Sequence, residues 1–217
     1  MNFQLEINSN NASSGRSNSH SNNHPDVLKL VDTLEDNKHI VLFYEDLERA
    51  RIVECRYIKN GLLKGQEGIH ISPENIDISF IKNEMVNNGI DVESFTKKSL
   101  LHIRQISNTR NHKEGSVKGF ENIAKEILND LKSPLHFRTV VIHFPEVKTE
   151  EQIASRLVVE CTYHSTFHSF SGSLLCSYPV KEMEPRRHGK WLVDILHNHH
   201  AAIFAPKSGQ GIAFNME

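Results

Sequence analysis

Cysteine is scarce in this chain. There are three in 217 residues, Cys55, Cys161 and Cys176, far apart and odd in number. No C-x-x-C spacing exists, and the three read as buried free thiols in a reducing compartment. No apolar run approaches the roughly 18 residues of a membrane span, and the polar N-terminus lacks the apolar core of a signal peptide. The sequence therefore predicts a cytoplasmic protein with no membrane partner. Neither sign of charge dominates: 25 basic and 27 acidic residues leave a formal charge of -2. That balance excludes a general attraction to nucleic acid, so direct nucleic-acid binding is disfavoured. The run Lys181, Arg186, Arg187, His188 and Lys190, interleaved with Glu182 and Glu184, reads as a solvated loop.

Hydrophobic residues at 38% suffice for one sizeable core. Residues 1–25 include a low-complexity Ser/Asn tract that cannot offset the entropy of ordering, and a disordered tail is expected there. Residues 26–217 read as a single domain opened by a short helix at 26–36. Strand and helix patterns then alternate. Apolar β-forming runs fall at 39–43, 68–72, 100–106, 139–144 and 173–178. Helical periodicity falls at 46–60, 75–88, 117–131, 149–163 and 189–199. Gly61 is placed to end the first long helix, and the last 15 or so residues suggest a closing hairpin. Such alternation builds an α/β fold, a mostly parallel sheet with helices on both faces. Ligands of such sheets sit outside the carboxyl ends of the strands.

A nucleotide enzyme of this class needs glycines and a lysine at the first turn. Here that turn is Tyr44-Glu45-Asp46, with two carboxylates at a helix N-terminus that would repel a triphosphate. The strand 139–144 carries His143 where a magnesium-binding carboxylate would be wanted. Two parts are missing, which argues against ATP hydrolysis.

The fourteen histidines are the unusual feature. His39, His70 and His143 fall on three strands, but His39 opens its strand and His143 lies near the end of its own, so parallel strands separate them. His164 and His168 are four apart without an H-E-x-x-H pattern. His197, His199 and His200 end a helix, where the dipole favours protonated imidazole. No convergent triad is secure. The expectation is no metal, no cofactor and no catalytic residue, with Cys161 and Cys176 as core.

The opening HIVLFYEDLERARIVECRYIKNGLLKGQEGIHIS, with His39, Phe43, Tyr44, Glu45, Asp46, Gly61, Leu62, Lys64 and Gly65, resembles the MEDS family. This is the sensory domain of the dichloromethane-metabolism regulator and of methanogen and methylotroph signalling proteins. LLCSYPV at 174–180 and HNHHAAIF at 197–204 resemble later segments of that family. The resemblance implies a three-layer fold like RecA- and KaiC-type ATPases with the phosphate loop lost. It also implies a non-catalytic sensory domain that binds a small molecule. With no helix-turn-helix or kinase region in the chain, output would pass through a protein signalling partner or a homo-oligomer. The candidate ligand-binding residues are Tyr44, Glu45, Glu74, His143 and Arg110, all near the carboxyl edge. The alternatives are a degenerate RecA/KaiC-like protein that still binds nucleotide, or a histidine-based metal-dependent enzyme.

Overall fold

The computed structural model describes residues 27–106, 116–132, 136–142, 150–167, 171–180, 185–207 and 211–216. The elements run α1 (Val27–Thr33), β1 (His39–Tyr44), α2 (Leu47–Leu63), β2 (Glu67–Pro73), α3 (Ile78–Asn87), α4 (Val92–Lys97), β3 (Leu101–Ile106), α5 (Ser116–Asp130), β4 (Phe137–Ile142), α6 (Glu150–Thr166), β5 (Ser173–Pro179), α7 (Pro185–His197), β6 (Ala201–Ala205) and β7 (Ile212–Asn215). One seven-stranded sheet has the order β3-β2-β4-β5-β1-β6-β7. The first six strands pair in parallel, and β7 closes antiparallel on β6 as the expected hairpin. Helices cover both faces, which gives a three-layer α/β fold of the RecA/KaiC type.

The alternation of each strand decides the two faces. Ile40 and Leu42 of β1 turn to the side of α1–α4, with Ala50, Val53, Tyr57 and Ile58 of α2. Val41 and Phe43 turn to the other side, towards Trp191 and Ile195 of α7. On that second side, Ile69, Ile71 and Val141 meet Phe120 of α5 and Val159 of α6. The central strands β1, β2 and β4 are buried along their whole length, as parallel strands covered on both faces must be.

Asp46 caps α2, its Oδ1 accepting from the N–H groups of Glu48 at 3.0 Å and Arg49 at 3.2 Å. Gly61 does not end that helix. The left-handed residue is Gly65 at φ 78, and α2 runs on to Leu63. Gly61 serves close approach instead: a Cβ there would lie 2.8 Å from Cδ of the buried Arg138. Gly89 does follow its helix with φ 77, but the next turns form the separate helix α4, capped by Asp91. The apolar pattern of β4 begins at Phe137 rather than Thr139, and residues 143–149 lie outside the described residues.

Candidate metal centre

The buried polar groups at the amino end of the sheet converge. His39 is the first residue of β1, and its ring is on the α6/α7 side. Cys176 sits on the neighbouring β5, two residues past Leu174, the register partner of His39. Glu160 descends from α6. His199 lies in the turn after α7, where His200 N–H donates to His39 O at 2.7 Å and fixes the turn against β1. All four side chains are buried.

One ligand atom from each of these residues lies within 4.8 Å of every other. His39 Nε2 is 3.3 Å from Cys176 Sγ and 3.5 Å from Glu160 Oε2. Glu160 Oε2 is 3.7 Å from His199 Nε2 and 3.8 Å from Cys176 Sγ. A tetrahedral zinc site with bonds of about 2.0–2.3 Å has ligand–ligand edges of about 3.3–3.8 Å. Four of the six edges fall in that interval, and all six are within 4.8 Å.

The surroundings prepare the donors. His199 Nδ1 lies 2.7 Å from Ile195 O and donates to it, which leaves the Nε2 lone pair facing Glu160. That Nε2 atom is buried without a hydrogen-bond partner among the described residues. Tyr178 Oη donates to Glu160 Oε1 and holds the carboxylate by its other oxygen. Burial drives the His39 pKa well below its ordinary value, and His199, His164 and His200 add to this; the Asn198 carbonyl opposes it. Burial also lowers His199, against the pull of Glu160. Both rings are thus neutral, the form that binds metal. Burial and then Glu160 push the Cys176 thiol well above its usual range. A cation placed among these atoms would reverse that pressure and favour the thiolate.

An apolar cavity of about 70 Å³ opens beside this cluster, between the sheet and α5/α6. Ile69, Phe120, Ile127 and Phe137 are among its walls, and Glu160 and Cys176 belong to its lining. Two of the four residues, Glu160 and Cys176, therefore form a polar spot on an apolar chamber.

The residues expected from sequence stand elsewhere. Tyr44 closes β1 at its carboxyl end and packs, buried, in the core with α2. Glu45 is exposed; its Oε2 accepts from Lys207 N–H at 2.9 Å. Glu74 is exposed in the turn after β2, its carbonyl accepting from Gln105 Nε2 at 3.3 Å. Tyr44 and His39 lie at opposite ends of one strand, so these groups and the histidine cluster occupy different ends of the sheet. His143, Arg110 and His168 lie outside the described residues. His70 does not join His39; it faces the α2 side near Arg51 and Glu54.

No protein-family profile matches the chain, and no curated protein matches it. Solved structures do. A KaiC-like protein from the hyperthermophilic archaeon Pyrococcus horikoshii OT3 is similar over 85% of this chain and 80% of that one, with a TM-score of 0.60 and 13% sequence identity. At that identity the likeness is one of fold. It supports the RecA/KaiC-type frame and leaves the narrower MEDS resemblance on its motif alone.

The expectation of a purely sensory, non-catalytic domain is overturned by the cluster. His39, Glu160, Cys176 and His199 form a compact set suited to coordinating a metal ion, which is equipment for chemistry. Of the strand histidines set beside His39 in the sequence, His70 faces the other side of the sheet, and His143 lies outside the described residues. The true neighbours of His39 come from β5, α6 and the turn after α7. Glu160 was missed, although it interrupts an apolar stripe. Ile153, Leu157, Glu160 and His164 recur at helical spacing, and a carboxylate in that row needs a partner in the core.

Proposed function

We propose that this chain is a metal-dependent enzyme built on the histidine cluster, with a divalent transition metal, zinc in the first instance, acting on a small, largely apolar substrate. The observation that carries this reading is the gathering of two imidazoles, a thiol and a carboxylate, of which the thiol and the carboxylate line an apolar cavity. Softness favours zinc: a thiolate and two imidazoles suit it, whereas magnesium and calcium prefer oxygen. His39, Cys176 and His199 would be the three lasting ligands. Bound there, such an ion would supply Lewis acidity and make water nucleophilic near neutral pH.

Glu160 has two parts in this scheme. With an ion bound, Oε2 would be its fourth donor, and with substrate in the cavity the carboxylate would instead accept a proton from water, held in place by Tyr178 through Oε1. The cavity walls would hold the apolar body of the substrate and exclude bulk water. Hydrolysis of a small molecule with one polarised carbon is the reaction class that fits. The thiolate calls for a reducing setting, and cytoplasm supplies one. The motif of residues 38–72 supports a MEDS-like ancestry for the frame.

Nucleotide chemistry is less well supported. The first turn, where phosphate would lie, is bound to the chain's own loop through Glu45 and Lys207.

Metal analysis of untagged protein tests the reading. About one zinc per chain is expected, lost in His39→Ala and His199→Ala. A screen of small ester and amide substrates should then show turnover that a chelator abolishes and zinc restores. A chain that takes up no zinc after incubation and dialysis overturns the proposal.

A further inference from the structure

The sheet has two unlike edges. Strand β3, at one edge, exposes Arg104 and Gln105, the kind of polar edge that discourages pairing. Strand β7, at the other, is short and exposes Ile212 (41%) and Phe214 (38%). These two alternate with buried Ala213 and lie on the α7 side, opposite Phe204 and Ala202 of β6. The ring of Phe214 stacks on Phe204 with centroids 6.0 Å apart, and the side chain remains exposed. Met216 N–H donates to His200 O at 2.9 Å. By the two-residue period, the amides of Phe214 and Ile212 also face β6, while those of Ala213 and Asn215 aim outward.

The chain carries a segment that matches this edge. Residues 2–8 read NFQLEIN, with Phe3, Leu5 and Ile7 alternating strictly with Asn2, Gln4, Glu6 and Asn8. That is the pattern of a strand with one apolar face. We propose that residues 2–8 of this chain dock onto the free edge of β7 in cis, as an eighth strand whose Phe3, Leu5 and Ile7 cover Ile212 and Phe214.

The path of the chain favours its own edge. Val27, which opens α1, is so close to Gly211 that a Cβ on that glycine would lie 2.4 Å from Val27 Cγ2. Gly211 immediately precedes β7. The chain N-terminal to Val27 therefore starts beside the strand it would cover. Between the two stand residues 9–26, eighteen residues rich in Ser and Asn. A flexible linker of that length spans about 23 Å root-mean-square, and a four-residue strand is about 14 Å long. A linker of that length would reach and would hold the segment at an effective concentration in the millimolar range. The outward amides of Ala213 and Asn215 would then have acceptors.

Amide hydrogen exchange by NMR tests this on three proteins: the full chain, a chain beginning at Ser9, and the full-length variant Leu5→Lys. The amides of Ala213 and Asn215 should exchange at least about tenfold faster in both altered chains, while those of Val41 and Leu42 are unchanged. Leu5→Lys carries the test by itself should the shortened chain fail to fold. Light scattering should give a monomer for the full chain. Equal exchange of Ala213 and Asn215 in all three proteins overturns the proposal. So does protection that accompanies a dimer which the shortened chain no longer forms, since the strand would then be exchanged between copies.

Discussion

His39 Nε2 lies 3.3 Å from Cys176 Sγ, although 137 residues separate them in the chain. The contact follows from strand register. β1 and β5 are adjacent and parallel, and Cys176 stands two residues beyond the partner of His39, on the same face. The rings of His39 and His199 complete the approach at a centroid distance of 3.9 Å. A metal held here must therefore bind sulfur. Cobalt-substituted protein should show a near-ultraviolet thiolate-to-metal charge-transfer band, absent in Cys176→Ser. Zinc affinity in that variant should fall by more than the about 10–100-fold typical of an outer-shell loss. A cobalt spectrum without the thiolate band would remove Cys176 from the ligand set.

Metal uptake should also release a proton. His39 and His199 are held neutral by burial and have none to lose, whereas the Cys176 thiol is pushed up and keeps its own until a cation arrives. Calorimetry in buffers of different ionisation enthalpy should report about one proton released per zinc. Affinity should rise about tenfold per pH unit while the free thiol stays protonated. Uptake with no proton release would mean that the sulfur is not a thiolate ligand.

The frame was legible in the sequence because burial on both faces leaves a plain mark. Short apolar β-branched runs such as IVLF in β1 and TVVI in β4 mark inner strands of a covered sheet. The centre was not legible, because each of its members has an ordinary local reason to be where it is. Cys176 alternates with Leu175 as any strand residue would, and His199 follows a helix end. Only the strand order β4-β5-β1-β6 brings them together, and that order is a long-range property. The carboxyl-edge residues Tyr44 and Glu45 drew notice for the opposite reason: their turn differs visibly from a phosphate loop. The same local view misplaced the end of α2 at Gly61, where the deciding neighbour, Arg138, comes from β4.

Tyr178 should act on the metal through Glu160. Its hydroxyl donates to Glu160 Oε1, and burial and then Glu160 push its pKa well above the usual phenol range, so it remains a donor at every working pH. Tyr178→Phe removes this hydrogen bond and loosens the hold on the carboxylate. Zinc affinity should fall about 10–100-fold, with the thiolate band of the cobalt protein retained but shifted. A variant with unchanged affinity and spectrum would show that the carboxylate is positioned by other contacts.

His70 should make the protein acid-labile from the other side of the sheet. Burial, the largest cause, lowers its pKa from 6.5 to about 4, while Glu54 and Arg51 pull in opposite directions. A depressed folded-state value means that the unfolded chain takes up the proton first. The stability it supports is complete above about pH 6.5 and is lost as pH falls towards about 4, on the order of 3 kcal/mol in full. His39 and His199 titrate in the same direction, so the contribution of His70 has to be read as a difference. Urea unfolding of the zinc-free protein and of His70→Gln across that window should show a shallower loss of stability in the variant. Equal slopes would mean that His70 takes up its proton as readily in the folded protein as in the unfolded chain, the pull of the neighbouring Glu54 carboxylate offsetting burial. Glu54 is otherwise committed to Arg51 and, at 2.6 Å, to the Ser177 hydroxyl.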